Sequence, residues 1–322
     1  MDGARGYIQL IATGGTISIG PDGVLRAGSM IKMARRLPAD VPIRGEDFAT
    51  VPSSCMTPGD HRKLAERVNG SLADDGCLGV VITHGTDSME ETAVALEMLC
   101  APSKPVVVTG AMVPSKDSGA DGPGNVADAI EYALSDDAGG AGVVVVMNSR
   151  VHAAFEVQKL HTISKDAFSS GDAGPIGLVA PGDVELVRTP TRLGLKSGTL
   201  DDSVELIKLT AGGGARLIDC AAKGGARGIV IEAFGVGNLP ERVIESAESA
   251  RQGGAVVLMT TRVGSGPILI CGSAIKAGLI PAMVGGRRVS GLAARIMLMA
   301  MLGAGLGGRE ISDLLSAGGS EG

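Results

Sequence analysis

Two threonines in this chain each stand one residue past a glycine, just after an apolar run. Thr16, in Thr13-Gly14-Gly15-Thr16-Ile17, follows Tyr7-Ile8-Gln9-Leu10-Ile11-Ala12. Thr86, in Thr83-His84-Gly85-Thr86-Asp87-Ser88-Met89-Glu90-Glu91-Thr92, follows Gly79-Val80-Val81-Ile82. Open α/β sheets bind ligands outside the carboxyl ends of their strands, so hydroxyls delivered there by two strands read as a nucleophile and its partner. Each motif alone has a plainer explanation. Thr13 to Thr16 can be a tight turn that needs positive φ, and Asp87 can cap a helix while His84 and Thr86 end a strand. It is the pair that points to chemistry. The first motif lacks the Gly-Lys-Ser/Thr of a phosphate-binding loop. The stretch from 18 to 29 has little periodicity and reads as a lid beside the first hydroxyl.

These motifs need a sheet to position them. Val- and Ile-rich runs predict buried parallel strands over 7–12, 78–83, 106–109 and 142–147. Helical periods fall between them. One starts at Thr57-Pro58-Gly59-Asp60, with a cap and a proline in the first turn; another runs over 88–99 with Ser88 and Glu91 at capping-box spacing; a third opens at Asp121-Gly122-Pro123. The runs over 176–180 and 185–187 flank Pro181-Gly182-Asp183 and predict an antiparallel hairpin at a sheet edge. Further strands are expected over 204–209, 228–233 and 255–261, with helices over 240–252, 290–302 and 309–315. The expected fold class is α/β: a larger N-terminal domain with a doubly wound, mainly parallel sheet, and a smaller C-terminal α/β domain. The expected bounds are a catalytic domain over 1–187, a linker over 188–203 and the smaller domain over 204–322.

Composition limits the function classes. The chain has 322 residues, 44% hydrophobic but only 2% aromatic, so its core must be built from Val, Ile, Leu, Ala and Met. A net charge of −6 and a pI near 5.3 argue against nucleic acid or an anionic membrane as the main partner. Arg35-Arg36 and Arg287-Arg288 read as solvated faces. Five scattered cysteines without a Cys-x-x-Cys pair suit reduced thiols. With a strand starting by residue 7 and no apolar run of membrane length, a soluble cytoplasmic protein is expected. His61, His152 and His161 have no ligand spacing, so no metal or other cofactor is expected, and His84 reads as a packed histidine. Gly235-Val236-Gly237 lacks the third glycine and downstream acid of a dinucleotide fingerprint.

Five ordered stretches resemble the bacterial-type L-asparaginase/glutaminase family. They are Ile11 to Ile17, Ser53-Ser54-Cys55-Met56-Thr57-Pro58, Ile82 to Ala93, Thr109-Gly110-Ala111-Met112-Val113-Pro114-Ser115, and Ala120-Asp121-Gly122-Pro123-Gly124-Asn125. A weaker likeness continues through Gly228 to Asn238. The resemblance implies a cofactor-free threonine amidohydrolase that converts L-asparagine to L-aspartate and ammonia. It matches Thr16 to the family's loop nucleophile, and Thr86, Asp87 and Lys159 to its rigid catalytic group. It further implies that Gly15, Ser53, Ser54, Thr86, Asp87 and Ala111 line the substrate site. Ser53 would receive the α-carboxylate and Asp87 the α-amino group. A homodimer or homotetramer is implied as well, with a small-molecule amide as the substrate partner.

The residue types suit that chemistry. A threonine hydroxyl needs a base within hydrogen-bond reach. A lysine, ordinarily ionising near ~10.4, must be partly desolvated to supply one. Which threonine attacks stays open at the level of sequence. The chain departs from the family in three places. Its loop over 18–34 has no tyrosine, the chain's two tyrosines being Tyr7 and Tyr132. No acidic residue lies between Glu248 and Glu310, and Ser54 and Cys55 stand where many members have glutamine and aspartate. The missing tyrosine and acidic residue favour one alternative to asparagine hydrolysis, an amidase for another carboxamide or lactam. A second, a binding or sensor protein without turnover, has the intact Thr16, Thr86, Asp87 and Lys159 against it.

Overall fold

The computed structural model describes residues 6–20, 23–34, 37–269 and 271–317. The chain divides into two compact units, Met1–Pro190 and Thr191–Gly322. The first is built on an eight-stranded sheet. Its strands are β1 (Tyr7–Ala12), β2 (Ile43–Asp47), β3 (Cys77–Thr83), β4 (Val106–Thr109), β5 (Val143–Met147), β6 (Arg150–Ala153), β7 (Gly177–Ala180) and β8 (Asp183–Leu186). Across the sheet the order is β8-β7-β6-β5-β4-β3-β1-β2. The first five strands are parallel and the last three form an antiparallel edge.

The order 2-1-3-4-5 reverses direction between β1 and β3, and a doubly wound sheet opens its crevice at such a switch point. Register makes the strands end level, for Ala12 pairs with Thr83 and Thr83 with Thr109. The helices are α1 (Ala27–Met33), α2 (Pro58–Leu72), α3 (Met89–Cys100) and α4 (Gly122–Leu134). α1 packs with α4, and α2 with α3, which covers both sheet faces. Ile8, Leu10, Val81, Val107 and Val144 pack under Val126, Ala129 and Ile130 of α4 in one continuous core. Each such aliphatic side chain contributes roughly 1.5–3 kcal/mol when fully buried.

Several expectations are corrected. The aperiodic stretch after Thr16 holds a short hairpin, Ile19–Gly20 against Gly23–Val24, and then α1, so the loop is shorter than expected. The capping box forms at Thr57 and Asp60 but not at Ser88, whose hydroxyl donates instead to the Ser53 carbonyl, 2.7 Å away. α4 opens after Asp121 as expected, and the Asp121 carboxylate accepts the N–H groups of Met112 and Val113. Strand β6 is reached through Asn148 and Ser149, both at positive φ, a two-residue reversal made without glycine. The edge hairpin is β7 and β8. The Arg35-Arg36 cluster lies outside the described residues. Arg288 is more than a solvated face, since its guanidinium donates to the Gly264 and Gly266 carbonyls.

The second unit has a parallel sheet of β9 (Val204–Lys208), β10 (Gly228–Ala233), β11 (Val256–Thr261) and β12 (Ile280–Pro281), in chain order. Its helices are α5 (Ala215–Lys223), α6 (Glu241–Gln252), α7 (Gly272–Lys276), α8 (Gly291–Gly303) and α9 (Gly308–Ala317). α5 packs on α6, while α8 lies along β9, β10 and β11. Among the described residues no helix is long and apolar enough to cross a membrane.

Candidate active site

The two glycine turns meet backbone to backbone. Thr13 donates both its N–H and its hydroxyl to the Thr83 carbonyl, each at 3.0 Å, tying the exit of β1 to that of β3. Gly15, at φ 85°, then turns the chain into a 3-10 turn over Thr16–Ser18. A Cβ on Gly15 would lie 2.2 Å from the Gly85 Cα, so no side chain fits there. A Cβ on Gly85 would lie 2.5 Å from Ser53 Oγ. Ser53 secures the second turn: its Oγ accepts the Asp87 N–H at 3.1 Å, and its carbonyl accepts the Ser88 hydroxyl. Because Ser53 Oγ is the acceptor in that bond, its own proton is not used by it.

Lys159 enters from a short ladder, Gln158–Lys159 against Phe168–Ser169. Its Nζ donates to Thr86 Oγ1 at 2.8 Å and to Asp87 Oδ1 at 3.0 Å. The lysine side chain is only 17% exposed, whereas that of Asp87 is 64% exposed. The amine is therefore drawn in against a buried hydroxyl while the carboxylate still faces outward. The Lys159 N–H donates to Glu90 Oε2 at 3.3 Å, so the first turn of α3 anchors the backbone of that lysine. Burial pushes the Glu90 carboxyl up to about 7.

Behind the Thr86 turn runs a polar chain whose direction can be worked out. Burial pushes His84 down to about 4, so it is neutral at pH 7. Its Nδ1 lies 2.6 Å from the Gly85 carbonyl, which only accepts, so the proton sits on Nδ1. Nε2 must then accept from the Thr92 hydroxyl at 3.0 Å, and Thr92 Oγ1 in turn accepts from His61 Nε2 at 3.1 Å. The packed-histidine reading of His84 holds. The carbonyl it binds belongs to the peptide whose N–H is that of Thr86.

A cavity of about 290 Å³ opens over these groups. Gly15, Thr16, Ser53, Thr86 and Asp87 all line it, with Gly14, Ser18, Ile19, Val24, Thr50, Val51, Pro52 and Gly85. Lys159 joins through its hydrogen bonds to Thr86 and Asp87. Two expected lining residues do not contribute to the wall. Ala111 is wholly buried in the core with Ile17 and Val126, and Ser54 is exposed beside Ser53 without reaching the cavity. Tyr7 donates to Asp74 and Tyr132 is fully buried in α4, so neither tyrosine reaches the cavity. Sequence reasoning missed His61, Thr92 and Glu90, because only the tertiary fold carries them to the turn. Among the described residues no group of three or more His, Cys, Asp or Glu could hold a metal ion.

Comparison with known proteins agrees with this geometry. Residues 7–192 match the family described as asparaginase, N-terminal, and residues 203–315 the glutaminase/asparaginase C-terminal domain. A probable L-asparaginase of Deinococcus radiodurans is 33% identical over 97% of each chain. L-asparaginase 2 of Bacillus subtilis is 36% identical over 81% of this chain and 74% of its own. The crystal structure of a probable cytoplasmic L-asparaginase from Campylobacter jejuni superposes with a TM-score of 0.86, at 29% identity, covering 97% of this chain and 99% of that one. Fold and family together are those of an amidohydrolase. The chain belongs to the asparaginase family.

Two outcomes follow from the geometry. Gly15→Ala forces a methyl into the Gly85 backbone at positive φ, and should cost roughly 2 kcal/mol or more in urea denaturation. Wild-type stability in that variant would mean the two turns are not in contact. Glu90 holds its proton more tightly folded than unfolded, its value being raised from 4.5 to about 7. Its contribution to stability is therefore full below pH 4.5 and lost as pH rises through 7. Glu90→Gln should gain stability relative to wild type across that window, by at most about 3 kcal/mol. Thermal melts against pH check the sign, and an opposite slope would mean Glu90 is ionised when folded.

Proposed function

We propose that this chain hydrolyses the side-chain amide of L-asparagine to L-aspartate and ammonia, with Thr16 as nucleophile. The observation that carries the reading is the Lys159 amine bonded at once to Thr86 Oγ1 (2.8 Å) and Asp87 Oδ1 (3.0 Å), beside the cavity that Thr16 also lines. The Asp87 carboxylate takes the substrate α-ammonium. The hydroxyl of Ser53, which lines the cavity, donates to the α-carboxylate. Thr16 Oγ attacks the amide carbon, and its proton passes to the Thr86–Lys159 pair and on to the leaving nitrogen. Backbone N–H groups near Gly15 and Thr86 face the oxyanion, one such donor being worth roughly 3 kcal/mol. The C–N bond breaks, ammonia departs, and water, deprotonated by the same pair, cleaves the Thr16 ester to L-aspartate.

A cytoplasmic location and a homo-oligomeric state belong to the same proposal. Among the described residues no disulfide joins any of the five cysteines. On the second unit, Val236, Val263 and Leu269 leave exposed apolar surface that another copy would cover.

One observation favours a second substrate class. Apart from the bonded pair of Asp87 and Lys159, the described residues lining the cavity are uncharged, and Ile19, Val24 and Val51 bring exposed apolar surface to it. Carboxamides without a free α-amino group therefore belong in any substrate panel. The test is steady-state ammonia release. L-Asparagine should saturate the wild type, while Thr16→Ala and Lys159→Met should each lose roughly three or more orders of magnitude in turnover. Near-wild-type turnover in Thr16→Ala would remove it as the nucleophile. Turnover of other amides with none of L-asparagine would move the substrate to the second class.

A further inference from the structure

Ser18 carries a hydroxyl that the fold does not use. The residue is only 4% exposed and lines the cavity two positions beyond Thr16, at the end of the same 3-10 turn. Its main chain is fully engaged: the N–H donates to the Gly15 carbonyl at 3.0 Å and the C=O accepts from Leu25 N–H at 2.7 Å. Its Oγ is sealed from solvent and meets no hydrogen-bond partner among the described residues. Ser29, the other serine of this stretch, is exposed on α1 and does not line this cavity. Buried hydroxyls are nearly always paired, and an unpaired one destabilises the state that holds it. Serine has three staggered χ1 wells, so its Oγ can be re-aimed while the backbone stays held.

We propose that Ser18 is a substrate-binding residue, whose hydroxyl completes its hydrogen bonding only when a polar group of the bound amide enters the cavity. This rests on the amide-hydrolase reading above and adds to it a residue that neither threonine motif singles out. A serine hydroxyl both donates and accepts, so it can meet the carbonyl or the nitrogen end of a carboxamide. The firmly held main chain fixes where that hydroxyl is offered, which suits a group that selects substrate.

The test is Ser18→Ala, read without and with ligand. Removing an unsatisfied buried hydroxyl should raise the Tm of the free enzyme by about 1–4 °C, while kcat/KM for L-asparagine falls about tenfold. The thermal stabilisation given by saturating L-aspartate should shrink in parallel. A lower Tm would show that the hydroxyl already has a partner in the free protein, such as a trapped water, and would overturn the proposal. So would a kcat/KM within twofold of wild type. A wild type that fails to turn over L-asparagine would refute the substrate assignment instead. The kcat/KM of Ser18→Ala would then be read with the amide that the wild type does hydrolyse, a value within twofold of wild type again overturning the role of Ser18.

Discussion

The contact between Gly15 and Gly85 is the constraint on which the site depends. Two strands that end level can bring their loops together only where neither loop carries a Cβ at the crossing, and a Cβ on Gly15 would sit 2.2 Å from the Gly85 Cα. Thr16 and Thr86 each follow one of these glycines, so the hydroxyls inherit their relative position from the backbone and not from side-chain packing. Strand order supplies the other half of the arrangement. Because the sheet reverses direction between β1 and β3, no crossover covers the ends of these two strands, and a cavity is left above them.

Around that contact the polar groups are graded from buried to exposed. His61, Thr92 and His84 form a chain of fixed direction that ends on the Gly85 carbonyl. Lys159 stands between a buried hydroxyl and an exposed carboxylate, with its own N–H held by Glu90. A mobile lysine could serve neither oxygen reproducibly, so anchoring its backbone to the first turn of α3 fixes the geometry on which the proposed proton transfer relies. Asp121 and Asn125 do comparable work for the neighbouring loop. Asp121 holds the N–H groups of Met112 and Val113, while Asn125 donates to the Gly110 carbonyl.

Much of this was legible in the chain itself. The parallel strands announce themselves as Val and Ile runs because both faces of the sheet are covered. Strand β2 did not, for Ile43-Arg44-Gly45-Glu46-Asp47 is an edge strand with several exposed side chains and carries a polar sequence. Strand β6 hid behind Asn148-Ser149, a turn without glycine. Ser88 has capping-box spacing, but a carbonyl 35 residues away takes its hydroxyl, and no local pattern reports that. The glycine–threonine pairs stood out through position alone. Lys159 was legible only through family resemblance, since a lysine in a polar stretch looks like any other until the fold buries it. Glu90, by contrast, looked like an ordinary acidic residue in a first helical turn.

The most direct measurement is to quench the wild-type enzyme during turnover of L-asparagine, digest it, and locate any aspartyl ester by mass spectrometry. An ester on Thr16 is the expected result, because Thr86 is committed to Lys159 while Thr16 lines the same cavity. An ester on Thr86, or one that persists at the same level in Thr16→Ala, would contradict the assignment and make the residue beside the lysine the nucleophile.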